Sequence, residues 1–324
     1  MTRERSKREE IVIVAIGGNA IASGRQPTDV YMQFANTRRC LAAAVDLVES
    51  GCRLVVTHGN GPQIGDKLIR VEASRHLVPP IPLGVLVADT QGSMGYMIAQ
   101  ILKNELTARQ IDKDVTTVLT QVLVARDDSS MAPTKFVGPA YKKKEALTLS
   151  RDHGWIMKED VERGWRRVVP SPQPLEILEK NAIRNLLDSG SVVVCVGGGG
   201  IPVYRQENGS LEGVDAVVDK DRASAVLGRE IGAGALHILT AVDAVYLDYG
   251  RENRRALRTL SLRDAQRYLR EGQFPPGSMG PKVESAISFL EGGGKSVLIT
   301  EAYLLREALE GNAGTWIRAV GPTR

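Results

Sequence analysis

Cysteine is scarce in this 324-residue chain: Cys40, Cys52 and Cys195 stand far apart, with no Cys-x-x-Cys pair. An odd, scattered set excludes a disulfide framework and points to buried thiols in a reducing compartment. Histidine is nearly as rare, and His58, His76, His153 and His237 lack metal-ligand spacing and assemble no Ser-His-Asp set. His58 reads as a hydrogen-bonding turn residue and His237 as a core residue. No apolar stretch approaches the roughly 20 residues of a membrane helix. The first ten residues carry mixed charge with no apolar core behind them, so they do not read as a signal peptide, and the cytoplasm is the expected location. A complete dinucleotide fingerprint is missing, because Gly197-x-Gly199 is followed by Pro202 and Gly59-x-Gly61 by Ile64. Gly294-Lys295-Ser296 imitates the end of a P-loop, but Phe289 stands where glycine is needed and the segment precedes a strand. The protein-kinase motifs are absent. Charge is close to balanced, at net +4 with a pI of about 8.9, which suits an enzyme for anionic substrates without singling one out.

Against these absences stands a regular alternation. Residues 11–16 form a continuous apolar run of the buried-parallel-strand type, ending in Gly17-Gly18-Asn19. Thr28 and Asp29 can cap a long helix running to about Ser50. Residues 53–57 form a second strand, ending in His58-Gly59-Asn60-Gly61-Pro62, with proline at a plausible helix start. Strand, glycine turn and helix have now occurred twice, the βαβ signature of a parallel sheet covered by helices. A helix over about 90–109 and a third strand over 115–124 follow. From 126 to 171 the pattern breaks. Prolines, crowded Lys and Arg residues, and Trp155 and Trp165 mark an inserted lid subdomain rather than a structureless loop. Order then resumes with a helix over 175–187 and a strand over 191–196 that ends in Gly197 to Gly200. A hairpin turn at Asn208-Gly209 comes next, then strands at 236–240 and 244–247 with Asp243 between them. Ser261 and Asp264 form a capping box, the 274–282 loop leads into a helix to about Leu290, and 295–300 is a late strand.

Ligands of open α/β sheets bind beyond the carboxyl ends of the strands. Three turns at that edge are glycine-rich: Gly17-Gly18-Asn19, Gly59-Asn60-Gly61 and Gly197 to Gly200. Glycine lets backbone N–H groups approach a phosphate, and a following helix adds its dipole. A fourth stretch, Gly213 to Ser224, delivers Asp219-Lys220-Asp221 to the start of a helix expected over 222–228. A lysine is misplaced at that electropositive end unless an anion lies nearby; the bland alternative is an Asp219 cap beside a solvated lysine. Lys282 stands at another helix start, and Lys135 follows Pro133-Thr134 in the lid. Converging lysines are what phosphoryl transfer needs. Lys142 to Lys144 read as a solvated face.

Seven motifs in order now match a known pattern: Ile16-Gly-Gly-Asn-Ala20, Thr57-His-Gly-Asn-Gly-Pro-Gln63, Pro133-Thr-Lys135, Gly164-Trp-Arg-Arg-Val-Val-Pro-Ser-Pro172, Gly197-Gly-Gly-Gly-Ile-Pro202, Val214-Asp-Ala-Val-Val-Asp-Lys-Asp221 and Gly277-Ser-Met-Gly-Pro-Lys282. Together they resemble carbamate kinases, a branch of the amino-acid-kinase superfamily. The resemblance implies an α/β fold, a three-layer αβα sandwich with an open, mainly parallel central sheet. It implies one domain over 1–324 with the lid at 126–171 inserted in it, assembled as a homodimer. The implied reaction is reversible phosphoryl transfer between carbamoyl phosphate and ADP, giving ATP and carbamate. By the same resemblance Lys220, Asp221 and Lys282 are catalytic. Gly17, Gly18, Asn19, Gly59, Asn60 and Lys135 hold substrate phosphates, and Gly198, Gly199, Asp243, Tyr246 and Met279 lie at the nucleotide. Mg2+ bridges nucleotide phosphates, with no side-chain metal site. No nucleic acid or membrane partner is implied. The first strand lacks the lysine of several superfamily relatives, which disfavours the alternative of an acetylglutamate- or uridylate-kinase-like enzyme. Retained lysines disfavour a non-catalytic nucleotide or phosphate sensor. The chain departs from the family pattern at Ala132, Phe136 and Gly84.

Overall fold

Strand Ile11–Ile16 is buried on both faces, which is why it reads as an unbroken apolar run. In the computed structural model, which describes residues 9–22, 29–126, 131–161 and 163–319, this strand is central to an eight-stranded sheet. Arg53–His58 pairs parallel on one side of it and Ala235–Thr240 on the other. Val192–Cys195 and Val115–Thr117 extend the sheet beyond Arg53–His58, also in parallel. Beyond Ala235–Thr240 comes Ser296–Glu301, parallel, and then Thr315–Arg318, antiparallel, with Thr259–Ser261 at the edge.

The two-residue period of the strand divides the core into two. Ile11, Ile13 and Ala15 face one apolar cluster, which holds Ile183, Leu227 and Phe289 from helices Lys180–Asp188, Lys220–Ile231 and Met279–Glu291. Val12, Val14 and Ile16 face the other, with Leu41 and Ile98 from helices Val30–Glu49 and Leu83–Ala108. Helix, sheet and helix make three layers, as expected.

Several local expectations need correction. Residues 115–124 are two strands rather than one: Val115–Thr117 closes the main sheet, whereas Gln121–Val124 joins a separate four-stranded sheet. The break sits at buried Thr120, whose N–H donates to Gln91 Oε1 at 2.7 Å and whose hydroxyl accepts from the Val196 N–H at 3.0 Å. Side chains take the ladder's bonds there. The helix expected from residue 90 starts at Leu83, where Asp215 Oδ1 accepts the first N–H at 3.0 Å. A cap from 132 residues away leaves no local signature. The helix expected over 175–187 spans only Lys180–Asp188, because Pro174–Ile177 is a strand paired antiparallel with Gln121–Val124. Asp29 caps Val30–Glu49 through the Met32 N–H; Thr28, its expected companion, lies outside the described residues. All three thiols are free, with Cys40 and Cys195 buried and Cys52 half-buried.

Within 126–171 the described residues form an antiparallel sheet, Pro133–Tyr141, Gly164–Pro170 and Met157–Asp160, with helix Lys143–His153. Its Val137 and Val169 pack on Ile64 and Leu68 of helix Gly61–Ser74, so the insertion is seated on the helix that follows the second glycine turn. Lys142 to Lys144 are exposed. Among the described residues no helix is long and apolar enough to cross a membrane.

Candidate active site

The first two glycine turns are pinned side by side at the carboxyl ends of the central strands. Gly17 N–H donates to Leu239 O at 3.1 Å, and Gly59 N–H to Ile16 O at 2.8 Å. A Cβ on Gly59 would lie 2.9 Å from Gly18 N, so only glycine allows this approach. Helix Lys220–Ile231 begins against them, two residues earlier than local pattern implies. Asp219 is its N-cap, accepting from the Asp221 N–H at 2.9 Å and the Arg222 N–H at 3.4 Å, so the cap reading holds.

Asp221 is the junction of the cage. One carboxylate oxygen takes Lys220 Nζ and the other takes Lys282 Nζ at 2.8 Å, with only 3% of the aspartate side chain exposed. Burial alone would raise the Asp221 pKa, but the two ammonium groups outweigh it and hold the carboxyl well below its usual 3.8. Lys282 is also penalised by burial, yet Asp221 lifts it above the ordinary lysine value. For Lys220 burial wins: despite Asp221, and with Lys282 adding repulsion, its pKa falls below 10.5. Lys220 Nζ also donates to Ala15 O at 3.3 Å, and Lys135 Nζ reaches Asp219 Oδ2 at 3.4 Å. Three lysines thus meet two carboxylates, a surplus of positive charge that an anion would relieve.

The cavity at this edge has three adjoining compartments. The cage itself, about 260 Å³, is lined by Gly18, Asn19, Gly59, Lys135, Lys220 and Lys282. One neighbour, about 400 Å³, shares Asn19 and Lys135 with the cage and adds Ala244, Tyr246, Tyr249 and Met279. The other, about 420 Å³, lies under the insertion between Pro62, Asp66, Phe136 and Arg166. A small cationic chamber between two larger clefts suits two substrates that exchange an anionic group. Among the described residues no group of three His, Cys, Asp or Glu side chains could hold a metal ion.

The structure brings Gly17, Gly18, Asn19, Gly59, Lys135, Lys220, Asp221 and Lys282 together on the cage. Met279 and Tyr246 line the adjoining cleft. Asp243 sits one step back, accepting the Tyr246 hydroxyl at 2.9 Å, and this bond raises the phenol's pKa. Gly198 and Gly199, expected at the nucleotide, do not line that cleft, but Gly198 lines the cage itself. A Cβ on Gly198, at φ +67°, would strike the Asn60 amide, and one on Gly199, at φ +91°, the Val218 carbonyl, so this third turn packs tightly against residues that frame the cage. Asn60 lines the cage, but its amide nitrogen is committed to Thr90 Oγ1 at 2.8 Å. His58 is buried with Nδ1 3.2 Å from Gly59 O; burial, then Lys220, depress its pKa to about 4, against which the Gly59 bond works. His237 is a core residue, with its ring edge-on to Trp316, and burial alone takes it to about 4.

Sequence reasoning missed several residues. The buried hydroxyls of Thr57 and Ser224 meet at 2.7 Å, and Ser224 donates to Lys220 O at 2.7 Å, tying the second strand to the lysine's helix. No local signal marks that pair. Tyr249 could have been found, three residues beyond Tyr246 in a turn-rich segment.

This is the architecture of a phosphotransferase, with glycine turns and lysines gathered at the sheet's carboxyl edge. The family model for the amino acid kinase family matches residues 10–301, and the chain belongs to that family. Its relatives narrow the branch. Carbamate kinase of Pyrococcus horikoshii is 44% identical over 311 residues, 95% of this chain and 99% of its own. Carbamate kinase 2 of Staphylococcus epidermidis is 44% identical with the same coverage. The solved structure of Giardia lamblia carbamate kinase bound to AMP-PNP superposes with a TM-score of 0.89 at 38% identity, covering 96% of this chain and 98% of that one.

Proposed function

We infer that this protein is a carbamate kinase, transferring a phosphoryl group between carbamoyl phosphate and ADP. The observation that carries the reading is the convergence of Lys220 and Lys282 on Asp221 above the first two glycine turns, in a chain whose first strand, IVIVAI, contains no lysine. The full-length likeness to carbamate kinases supports it.

In this reading ADP occupies the cleft beside Tyr246 and Met279, and carbamoyl phosphate enters beneath the insertion. A terminal oxygen of ADP attacks phosphorus, the P–O bond to the carbamoyl group breaks, and carbamate leaves. The attacking oxygen is already ionised, so no general base is required, in keeping with the buried, neutral His58. Lys220, Lys282 and the glycine-turn N–H groups other than those of Gly17 and Gly59, which bond Leu239 O and Ile16 O, hold the transferred group in place and neutralise its oxygens, while Asp221 aims the two lysines. Lys135 reaches in from the insertion, and the unit at 126–171 closes over the acceptor side as a lid within the single domain. Asp219 and Asp221 are both engaged by lysines, so Mg2+ arrives on the nucleotide as part of the substrate. Free thiols support a cytoplasmic location. Exposed Tyr31 and Tyr96 on neighbouring helices, with Phe34 against Tyr96, support the homodimer.

The test is ATP formation from carbamoyl phosphate, ADP and Mg2+ by purified protein, with acetylglutamate and UMP as competing acceptors in the reverse direction. Turnover confined to the carbamate pair, and lost in Lys220→Ala, is expected. Transfer to another acceptor, or wild-type turnover by Lys220→Ala, refutes the assignment.

A further inference from the structure

The segment 214–219 that carries the chain to Lys220 turns sharply at Asp215, where the Ala216 N–H donates to Val214 O at 2.9 Å, and then runs as an irregular strap whose successive residues alternate in burial. Ala216 and Val218 are buried in the core. Asp215, Val217 and Asp219 instead meet the inserted sheet. Arg167 Nη2 donates to Asp215 Oδ2 at 2.7 Å, Val217 N–H donates to Pro170 O at 3.0 Å, and Lys135 Nζ donates to Asp219 Oδ2 at 3.4 Å. The three partners come from two paired strands of the insertion, Pro133–Tyr141 and Gly164–Pro170. The strap is thus tied to the insertion at Asp215, Val217 and Asp219, directly ahead of Lys220.

Asp215 has a second load. Its Oδ1 accepts the Leu83 N–H at 3.0 Å, the first amide of helix Leu83–Ala108. Two turns further on, Thr90 of that helix holds the amide of Asn60 in the second glycine turn. One carboxylate therefore joins the insertion, the strap to Lys220 and the helix behind Asn60. Asp215 lines none of the three compartments, and its side chain is 53% exposed. With Asp215 half in solvent, though Arg167 is 14% exposed, screening keeps the pair's contribution to global stability small. Its value lies in what it aligns.

We propose that Asp215 is a positioning residue for phosphoryl transfer: through Arg167 it sets the placement of the insertion, with Lys135, relative to Lys220 and Asn60. The inference rests on the phosphotransferase reading of the cage.

Asp215→Asn keeps an acceptor for Leu83 but removes the charge facing Arg167; Arg167→Gln removes the other partner, and Arg167→Lys keeps its charge. We expect Asp215→Asn to lower kcat about fivefold and raise the KM for carbamoyl phosphate by a similar factor, with the KM for ADP within about twofold of wild type. The double variant Asp215→Asn/Arg167→Gln should be no worse than either single change, Arg167→Lys should stay near wild type, and melting should move by less than about 2 °C. Hydrogen exchange gives a readout independent of turnover: the Val217 amide, bonded to Pro170, should exchange faster in Asp215→Asn, while amides of Lys220–Ile231 keep their rates. Unchanged kinetic constants, losses that multiply in the double variant, or unchanged exchange at Val217 each overturn the proposal. Absence of transfer by the wild-type protein would instead strike the functional reading, and the exchange comparison would still decide whether the strap is linked.

Discussion

Replacing Asp221 by asparagine leaves two ammonium groups in a buried site with no acid between them. Removing one partner of a buried ion pair costs about 3–5 kcal/mol. Lys220 and Lys282 retain side-chain exposures of 11% and 19%, so some water can reach them, which places the loss near the lower bound, about 3 kcal/mol. For a chain of this size about 2 °C accompanies each kcal/mol, so Asp221→Asn should melt roughly 6 °C below wild type without ligand. Bound ADP supplies the missing negative charge, so its stabilising shift should be larger in the variant and close most of that gap. Catalysis should not recover, because the lysines are no longer aimed; kcat should fall by about 10²–10³-fold. The wild-type advantage should also narrow below about pH 4. Asp221 has a depressed pKa in the fold, so its contribution is present above the ordinary value of 3.8 and lost as pH falls through the folded value. Scanning calorimetry with and without ADP, beside a coupled ATP assay, makes the measurement. An unliganded variant melting within about 1 °C of wild type, or an ADP shift equal in the two proteins, refutes the counter-ion reasoning.

Two further outcomes follow from the same geometry. Because burial holds Lys220 below 10.5, an arriving polyphosphate should restore its proton, so ADP binding on the alkaline side takes up protons. Calorimetry in two buffers of different ionisation enthalpy should detect this in wild type and lose it in Lys220→Met; equal uptake in both would place the proton elsewhere. Gly198→Ala puts a methyl group against the Asn60 amide at φ +67° and should destabilise the protein by about 1–3 kcal/mol while weakening both substrates. Gly209→Ala, at φ +85° but with open space around it, is the control, costing about 1 kcal/mol with unchanged kinetics. A selective rise in the KM for ADP in Gly198→Ala would return that turn to the nucleotide.

What the chain reveals before folding is what local chemistry encodes. Residues 11–16 and 53–58 announce buried strands because both faces of a covered parallel sheet are apolar, and Asp219 announces a cap because capping acts within one turn. Lys220 was legible as a charge out of place. Illegible features depend on partners distant in sequence. Asp215 starts a helix 132 residues earlier, Gln91 breaks the 115–124 run by binding Thr120, and Pro174–Ile177 is a strand only because Gln121–Val124 lies beside it. The third glycine turn carries two constraints at once: Gly198 lines the cage, and Asn60 and Val218 stand where a side chain on Gly198 or Gly199 would fall, so glycine there reflects packing as well as composition.

The central pairing of Ile11–Ile16 with Ala235–Thr240 has a consequence for biosynthesis. The cage draws on residues near position 18, near 60, at 220 and 221, and at 282, so no emerging fragment can contain it. A ribosome must release most of the chain before the first strand finds its second neighbour. Until then the exposed flank of that strand is an apolar edge open to other chains. Such long-range closure is slow, so nascent protein should depend on shielding of the Ile11–Ile16 edge during synthesis, and anion binding should become measurable only once Ala235–Thr240 has docked.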